Sequence, residues 1–173
     1  MKPRSRLVNL SSAGHRFSDV DLDDPNFVRT PYDPIVGYGR SKTANILFAV
    51  EFDRRHRAGD IRATAVHPGA IQTELGRHIT PELRQAMTAT IKPVPGQPLF
   101  TYKTIPQGAA TSVWAGIVAA ADLIGGKYCE DCHVAEFTED PLVRTGVRPY
   151  ALDPERAKAL WAKSEEMVGE RFA

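Results

Sequence analysis

The stretch GYGRSKTANILFAVEFDRRHR, Gly37 to Arg57, decides how this chain folds. Its length suits a helix of about six turns, and Gly59 just beyond it supplies a stop signal. The middle, ANILFAVEF, is apolar around most of its circumference, wider than the stripe of a helix that covers a single surface. It predicts a helix packed on a sheet and also against another helix or a second subunit. On either side lie β-favouring runs, RLVNLSS (Arg6 to Ser12) and IRATAV (Ile61 to Val66). Two strands joined through such a helix run parallel, because the crossover returns the chain to the end it started from.

The rest of the chain repeats this alternation. TPELRQAMTA predicts a short helix with Thr80 as N-cap and Pro81 at its first position. TIPQGAATSVWAGIVAAA begins with a capping box, Thr104 to Gln107, and continues as a small-residue helix. GKYCED is a third short strand. DPERAKALWAKSEEMVGERF is a capped amphipathic helix with Ala157, Leu160, Trp161 and Met167 on one face. Strands alternating with helices give an α/β sheet. Ligands of such sheets bind beyond the C-terminal ends of the strands, and SSAG and HPGAIQT sit at two such ends. The stretch from Ala13 to Val36, rich in Gly, Pro and Asp, reads as flexible loop. KPVPGQPLF, Lys92 to Phe100, cannot be regular and lies within a candidate substrate lid over about 76–104.

Composition excludes several classes. The 173 residues, 25% charged and 42% hydrophobic, suit one globular domain. A net charge of +1 gives no electrostatic reason to expect nucleic acid or an acidic membrane as partner. No run is apolar enough to span a bilayer, and the N-terminus lacks a signal peptide, so a cytoplasmic protein is expected. CEDCH, Cys129 to His133, matches the pattern for haem attachment. Without an export signal, and with methionine scarce, it reads as strand-end cysteines, and no second cluster completes a metal site. Asp19, Asp21 and Asp23 alternate like a calcium loop, but Asp24 stands where glycine is needed and Thr30 where glutamate is needed.

The chemistry lies at the start of the long helix. Tyr38 and Lys42 are four residues apart and share a face. A free tyrosine, with a pKa of about 10, is a poor base at neutral pH, and a nearby ammonium favours the phenolate. Ser12, at the mouth of the preceding strand, is placed to hydrogen-bond a substrate oxygen. The trio suits proton transfer at a carbonyl or alcohol oxygen.

VNLSSAG, YGRSK, HPGAIQT and GGKY together resemble the short-chain dehydrogenase/reductase family, over essentially the whole chain. The stretch before Tyr38, the SKTANILFAVE helix, HPG and QGAAT resemble its retinol-dehydrogenase-like branch, which includes WW-domain-containing oxidoreductases. The resemblance implies the C-terminal part of a Rossmann-like doubly wound parallel sheet, about three strands with flanking helices. It implies an oxidoreductase that moves hydride between NAD or NADP and an apolar alcohol, aldehyde or ketone. Tyr38 would be the general acid/base and Ser12 would orient the substrate oxygen. Lys42 would act on Tyr38 and bond the nicotinamide ribose, and Pro68, Gly69, Ile71 and Thr73 would wrap the nicotinamide end. His67 reads as a turn residue beside the cofactor. A homodimer through the helix at 37–57 is a further expectation.

The family's N-terminal cofactor half has no counterpart in these residues. No TGxxxGxG turn occurs, the residue separating NAD from NADP is absent with it, and Asn9 and Asn45 do not stand where the family's catalytic asparagine does. RLVNL, central in a full family sheet, becomes an edge. MKPRSR would then be the linker before the fifth strand of a longer protein. The alternative is a truncated, non-catalytic fragment or interaction module. The expectation is that this polypeptide alone binds nicotinamide cofactor weakly or not at all. Calorimetric titration with NADH and NADPH checks it, and tight binding of either would refute it.

Overall fold

The structure, a computed structural model, describes residues 1–89, 101–140, 143 and 145–172. The candidate lid segment Lys92 to Phe100 lies outside the described residues. Three parallel strands form the body of one sheet: β1 (Arg6–Leu10), β2 (Arg62–His67) and β3 (Tyr128–Glu130). A two-residue antiparallel strand, β4 (His133–Val134), adds a fourth, giving the order β1-β2-β3-β4. In the register, Asn9 stands opposite Ala65, and Ala65 opposite Tyr128.

Side chains alternate across this sheet with the period of a strand. Leu7, Ala63, Ala65 and Tyr128 face one side, where they meet Ile46 and Ala49 of α1 (Pro34–His56). Val8, Val66 and Cys129 face the other, against Ala115 and Ala119. Those two belong to a π-helical turn, Trp114–Val118, and the residue after it, which follow α3 (Ile105–Val113). Helices therefore cover both faces, as a doubly wound parallel sheet requires. Each fully buried Ile, Leu or Val here contributes about 1.5–3 kcal/mol.

α1 starts at Pro34, three residues before the Gly37 expected from its pattern. The signal is the pair Asp33-Pro34: the Asp33 carboxylate accepts from the N–H groups of Ile35 and Val36 at 2.8 and 2.9 Å. The second packing surface expected for α1 is supplied within the chain by α5 (Pro154–Val168). Phe48 and Trp161 stack with centroids 5.7 Å apart and planes 10° from parallel, and the Arg55 guanidinium lies 4.5 Å above the Trp161 ring.

The Thr104–Gln107 capping box and the Thr80 cap of α2 (Pro81–Thr88) form as expected. The small-residue helix runs shorter than its pattern. It widens into the π turn after Val113 and gives way to a separate short helix, α4 (Ala121–Ile124). The stretch 13–36 contains a 3-10 turn, Ala13–Phe17. Buried Asp24 organises its second part by accepting from the N–H groups of Val28, Arg29 and Thr30 and from the Thr30 hydroxyl.

Arg62 at the entry to β2 ties the sheet to α1. Its Nε donates to Asp53 at 2.9 Å and its Nη2 at 3.1 Å, while Asp53 also accepts from the Ala63 N–H at 2.9 Å. Asp53 is 4% exposed. Replacing it with alanine leaves a largely buried guanidinium facing only the exposed Asp122. Asp53→Ala should cost about 3–5 kcal/mol, read as a lowered urea midpoint with an unchanged slope.

Candidate active site

Ser12 follows β1 and caps the 3-10 turn: its Oγ accepts from the Gly14 N–H at 3.1 Å. With the acceptor side of the hydroxyl engaged, its own hydrogen is the donor left for a ligand. The Ser12 carbonyl is held by the buried His15, whose Nδ1 lies 2.8 Å away. His15 Nε2 accepts from the Arg148 N–H at 3.2 Å, which fixes the tautomer with the proton on Nδ1. The His15 carbonyl in turn accepts from the hydroxyls of Thr43 and Tyr150. The turn carrying Ser12 is thus clamped to α1 and to the 3-10 turn at Pro149–Leu152.

Tyr38 and Lys42 lie one turn apart on α1. A Cβ at Gly14 would stand 2.3 Å from the Tyr38 ring, so only glycine lets the ring pack against the Ser12 turn. Gly39 allows the same approach to the backbone at Ser18, where a Cβ would come within 2.6 Å. The Lys42 ammonium sits 5.5 Å from the Tyr38 ring centroid. Among the described residues, neither Tyr38 Oη nor Lys42 Nζ makes a hydrogen bond or an ion pair.

The third part of the site leaves the end of β2. His67 Nδ1 accepts from the Gly69 N–H at 3.4 Å and closes the turn around half-buried Pro68. Gly69 has φ +95°, a conformation that disfavours any side chain, and a Cβ there would also push on the end of the Lys103 side chain at 2.7 Å. The Lys103 N–H donates to the Ala70 carbonyl at 2.8 Å, and its ammonium pairs with Asp131. Ile71 packs on Gly108 of α3, where a Cβ would stand 2.5 Å from it. Thr73 caps the 3-10 turn Glu74–His78 by accepting from the Leu75 N–H at 3.3 Å.

These three parts face one cavity of about 710 Å³. Ser12, Tyr38, Gly69, Ile71 and Thr73 line it. Lys42, behind the Tyr38 ring, and Pro68 do not. His67 contributes to the wall, as do Phe17, Ile79 and Met87. Sequence reasoning missed Arg16 and Arg148, which also line it. Arg16 stands only two residues past SSAG, a usable signal, whereas nothing in the sequence brings Arg148 from the far end of the chain to this wall. Cys129 is buried in β3 and Cys132 is exposed in the turn after it. No helix of the described residues is long and apolar enough to cross a membrane.

No family model matches the chain. Curated proteins do. A short-chain dehydrogenase/reductase of Penicillium roqueforti, prx1, is 38% identical over 169 residues, 95% of this chain and 47% of that protein. The chain belongs to the short-chain dehydrogenase/reductase family. Human retinol dehydrogenase 14 is 33% identical over 171 residues, 95% of this chain and 44% of that protein. The crystal structure of an uncharacterized protein from Mycobacterium paratuberculosis superposes with a TM-score of 0.63 at 29% identity, covering 98% of this chain and 52% of that one. The chain spans about half the length of the curated relatives it matches. The match to a C-terminal portion agrees with the place of SSAG, YGRSK and HPG so early in these residues.

Burial holds both site histidines neutral. His15 is lowered from 6.5 to about 4 by burial, against the Ser12 carbonyl bond, with Arg16 and Arg148 adding to the fall. His67 is lowered to about 4 by burial and then by Lys103 and Arg16. Between pH 6.5 and about 4 the unfolded chain takes up protons that the folded chain refuses. Stability should therefore be intact above pH 6.5, fall as pH drops through that window with a slope of up to two protons, and level below it. His67→Asn, which keeps an acceptor for Gly69, should remove one proton from the slope in denaturant titrations at stepped pH.

Proposed function

We propose that these residues form the acid/base and substrate-positioning part of an NAD(P)-dependent oxidoreductase acting on an apolar alcohol, aldehyde or ketone. The observation that carries this reading is the convergence of Ser12, Tyr38 and the 69–73 turn on one cavity, with Lys42 behind the tyrosine ring. In the reductive direction Tyr38 Oη delivers its proton to the substrate oxygen. The phenolate left behind is stabilised by the Lys42 ammonium, 5.5 Å from the ring centroid. Ser12 Oγ, its acceptor side taken by Gly14, donates its hydrogen to the same oxygen and fixes which face of the carbonyl is presented. Oxidation of an alcohol runs the same proton path backwards.

The residues present fit the nicotinamide end of NAD or NADP. Gly69, which carries no side chain, and the polar Thr73 line the same cavity as Tyr38, and Lys42, set back from the wall, would reach a ribose hydroxyl past the tyrosine ring. When bound, reduced NAD(P) supplies the hydride. Gly69, Ile71 and Thr73 would hold its ring, and Pro68 would stiffen the turn that presents them. The apolar wall from Phe17, Ile79 and Met87 suits a hydrocarbon substrate, in keeping with the name of the retinol dehydrogenase relative. The segment 76–104, whose described parts contribute Arg77, Ile79, Met87 and Tyr102 to the cavity, would act as the lid. A second copy of the chain would dock through the helix at 37–57.

In any preparation that oxidises NADPH or NADH with an aldehyde, Tyr38→Phe should lower kcat by about 100-fold or more while thermal unfolding is unchanged. Lys42→Met should lower kcat in the same assay. Unchanged turnover in the folded Tyr38→Phe protein would remove Tyr38 from the mechanism.

A further inference from the structure

The cavity wall is strongly cationic. Arg16, Arg77, Arg84 and Arg148 line it, against a single lining carboxylate, Glu74. Elsewhere among the described residues Arg6 and Arg29 donate to backbone carbonyls, while Arg40, Arg54, Arg55, Arg62 and Arg156 each have a carboxylate within 4.0 Å. None of the four cavity arginines has one among the described residues.

Two of the four are more than surface residues. Arg148 is 7% exposed. Its Nη1 donates to the Thr138 carbonyl at 2.8 Å, and among the described residues its Nε and Nη2 have no acceptor, while the side chain lines the cavity. Arg16 Nε donates to the Ala13 carbonyl at 3.1 Å and Nη1 to the Val143 carbonyl, leaving Nη2 unspent. The acid nearest in effect, buried Glu130, is occupied by the Gly146 N–H. Burial, and after it the mutual repulsion with Arg148, pulls the Arg16 pKa down. A buried and a half-buried guanidinium set side by side are expensive unless an anion completes them. Guanidinium groups with free N–H edges are the side chains best shaped to receive a carboxylate.

We propose that Arg16 and Arg148 bind a carboxylate carried by the substrate, which is therefore an amphipathic carbonyl or alcohol with an acid group remote from the reacting oxygen. This rests on the reading of Ser12 and Tyr38 as the reacting end of the same cavity. The Phe17, Ile79 and Met87 wall then receives the hydrocarbon between the two ends, and the arginine pair fixes which end enters first.

The test is calorimetric titration of the full chain, without cofactor, with para-formylbenzoate and with its uncharged methyl ester. The carboxylate should bind about tenfold tighter than the ester. Arg148→Met and Arg16→Met should each remove the difference and leave ester binding unchanged. Equal binding of the two probes, or a preference that survives both substitutions, would overturn the proposal. So would inorganic pyrophosphate binding tighter than the carboxylate, which would give the arginines to the cofactor. If Arg148→Met fails to fold by circular dichroism, the wild-type pair of titrations and Arg16→Met still decide. Because binding is read without cofactor or turnover, these titrations decide the arginine site alone, and the Tyr38→Phe turnover measurement decides the acid/base reading.

Discussion

The Ser11 hydroxyl donates to the Lys42 carbonyl at 2.8 Å, Asn9 Nδ2 donates to the Asn45 carbonyl, and Asn45 Nδ2 donates back to the Leu10 carbonyl. These three bonds join the C-terminal end of β1 to one face of α1. Two are accepted by helix carbonyls about one turn apart and the third by the Leu10 carbonyl of the strand, so together they fix both the rotation of α1 about its axis and its height along the strand. Tyr38 and Lys42 are carried on that helix, and Ser12 is the residue after the anchored serine. The Ser11 N–H meanwhile donates to Val66 of β2, which links the same seam to the strand that ends in His67. A rotation of α1 by one residue, roughly 100°, would swing Tyr38 off Gly14 and leave all three side-chain bonds unmade. The asparagines are thus spent on architecture, which agrees with their standing outside the place of a catalytic asparagine.

A second constraint is the state of the two histidines. Each serves as an acceptor: His15 for the Arg148 N–H and His67 for the Gly69 N–H. Each can accept only while neutral. Burial supplies most of the push toward neutrality, and the surrounding cations add to it. The cationic wall and the neutral histidines support one another. The arginines help keep the acceptors unprotonated, and through the Arg148 backbone and the Gly69 turn the acceptors position the segments that build the wall.

Much of this was legible in the sequence because its signals are local. An i,i+4 pair on a long helix, a strand ending in SS, a proline-glycine turn after the next strand and a capping box each depend on neighbours within a few residues. Alternation of strand and helix then places the ends together. The start of α1 was misjudged because the apolar pattern weakens before Gly37, although Asp33-Pro34 carried the capping signal. The break after Val113 was not legible, since TSVWAGIVAAA has no proline or polar stop. It comes from the bond between the Ala119 N–H and the Trp114 carbonyl, which widens the turn. The role of Asp24 was hidden because a carboxylate in a loop gives no sign of which amides it will gather. Arg148 was invisible for a related reason: its place beside Ser12 runs through His15, a contact 133 residues apart in the chain.

The bonds that arrange Ser12, Tyr38, Lys42 and the 69–73 turn all lie within the described residues. β1 pairs with β2 along one edge, and among the described residues no strand pairs with its other edge. That edge carries none of the side-chain contacts that set the trio. The Ser12 turn is held by His15, Thr43 and Tyr150, the helix by the asparagine and serine seam, and the Gly69 turn by His67 and Lys103. Placement of Ser12, Tyr38 and Lys42 and retention of a dinucleotide are therefore separable physical problems. The first is solved by short-range bonds inside these residues. The second calls for phosphate-binding backbone of the glycine-rich kind, which this stretch does not contain. Loss of dinucleotide affinity would thus leave the placement of Ser12, Tyr38 and Lys42 unchanged.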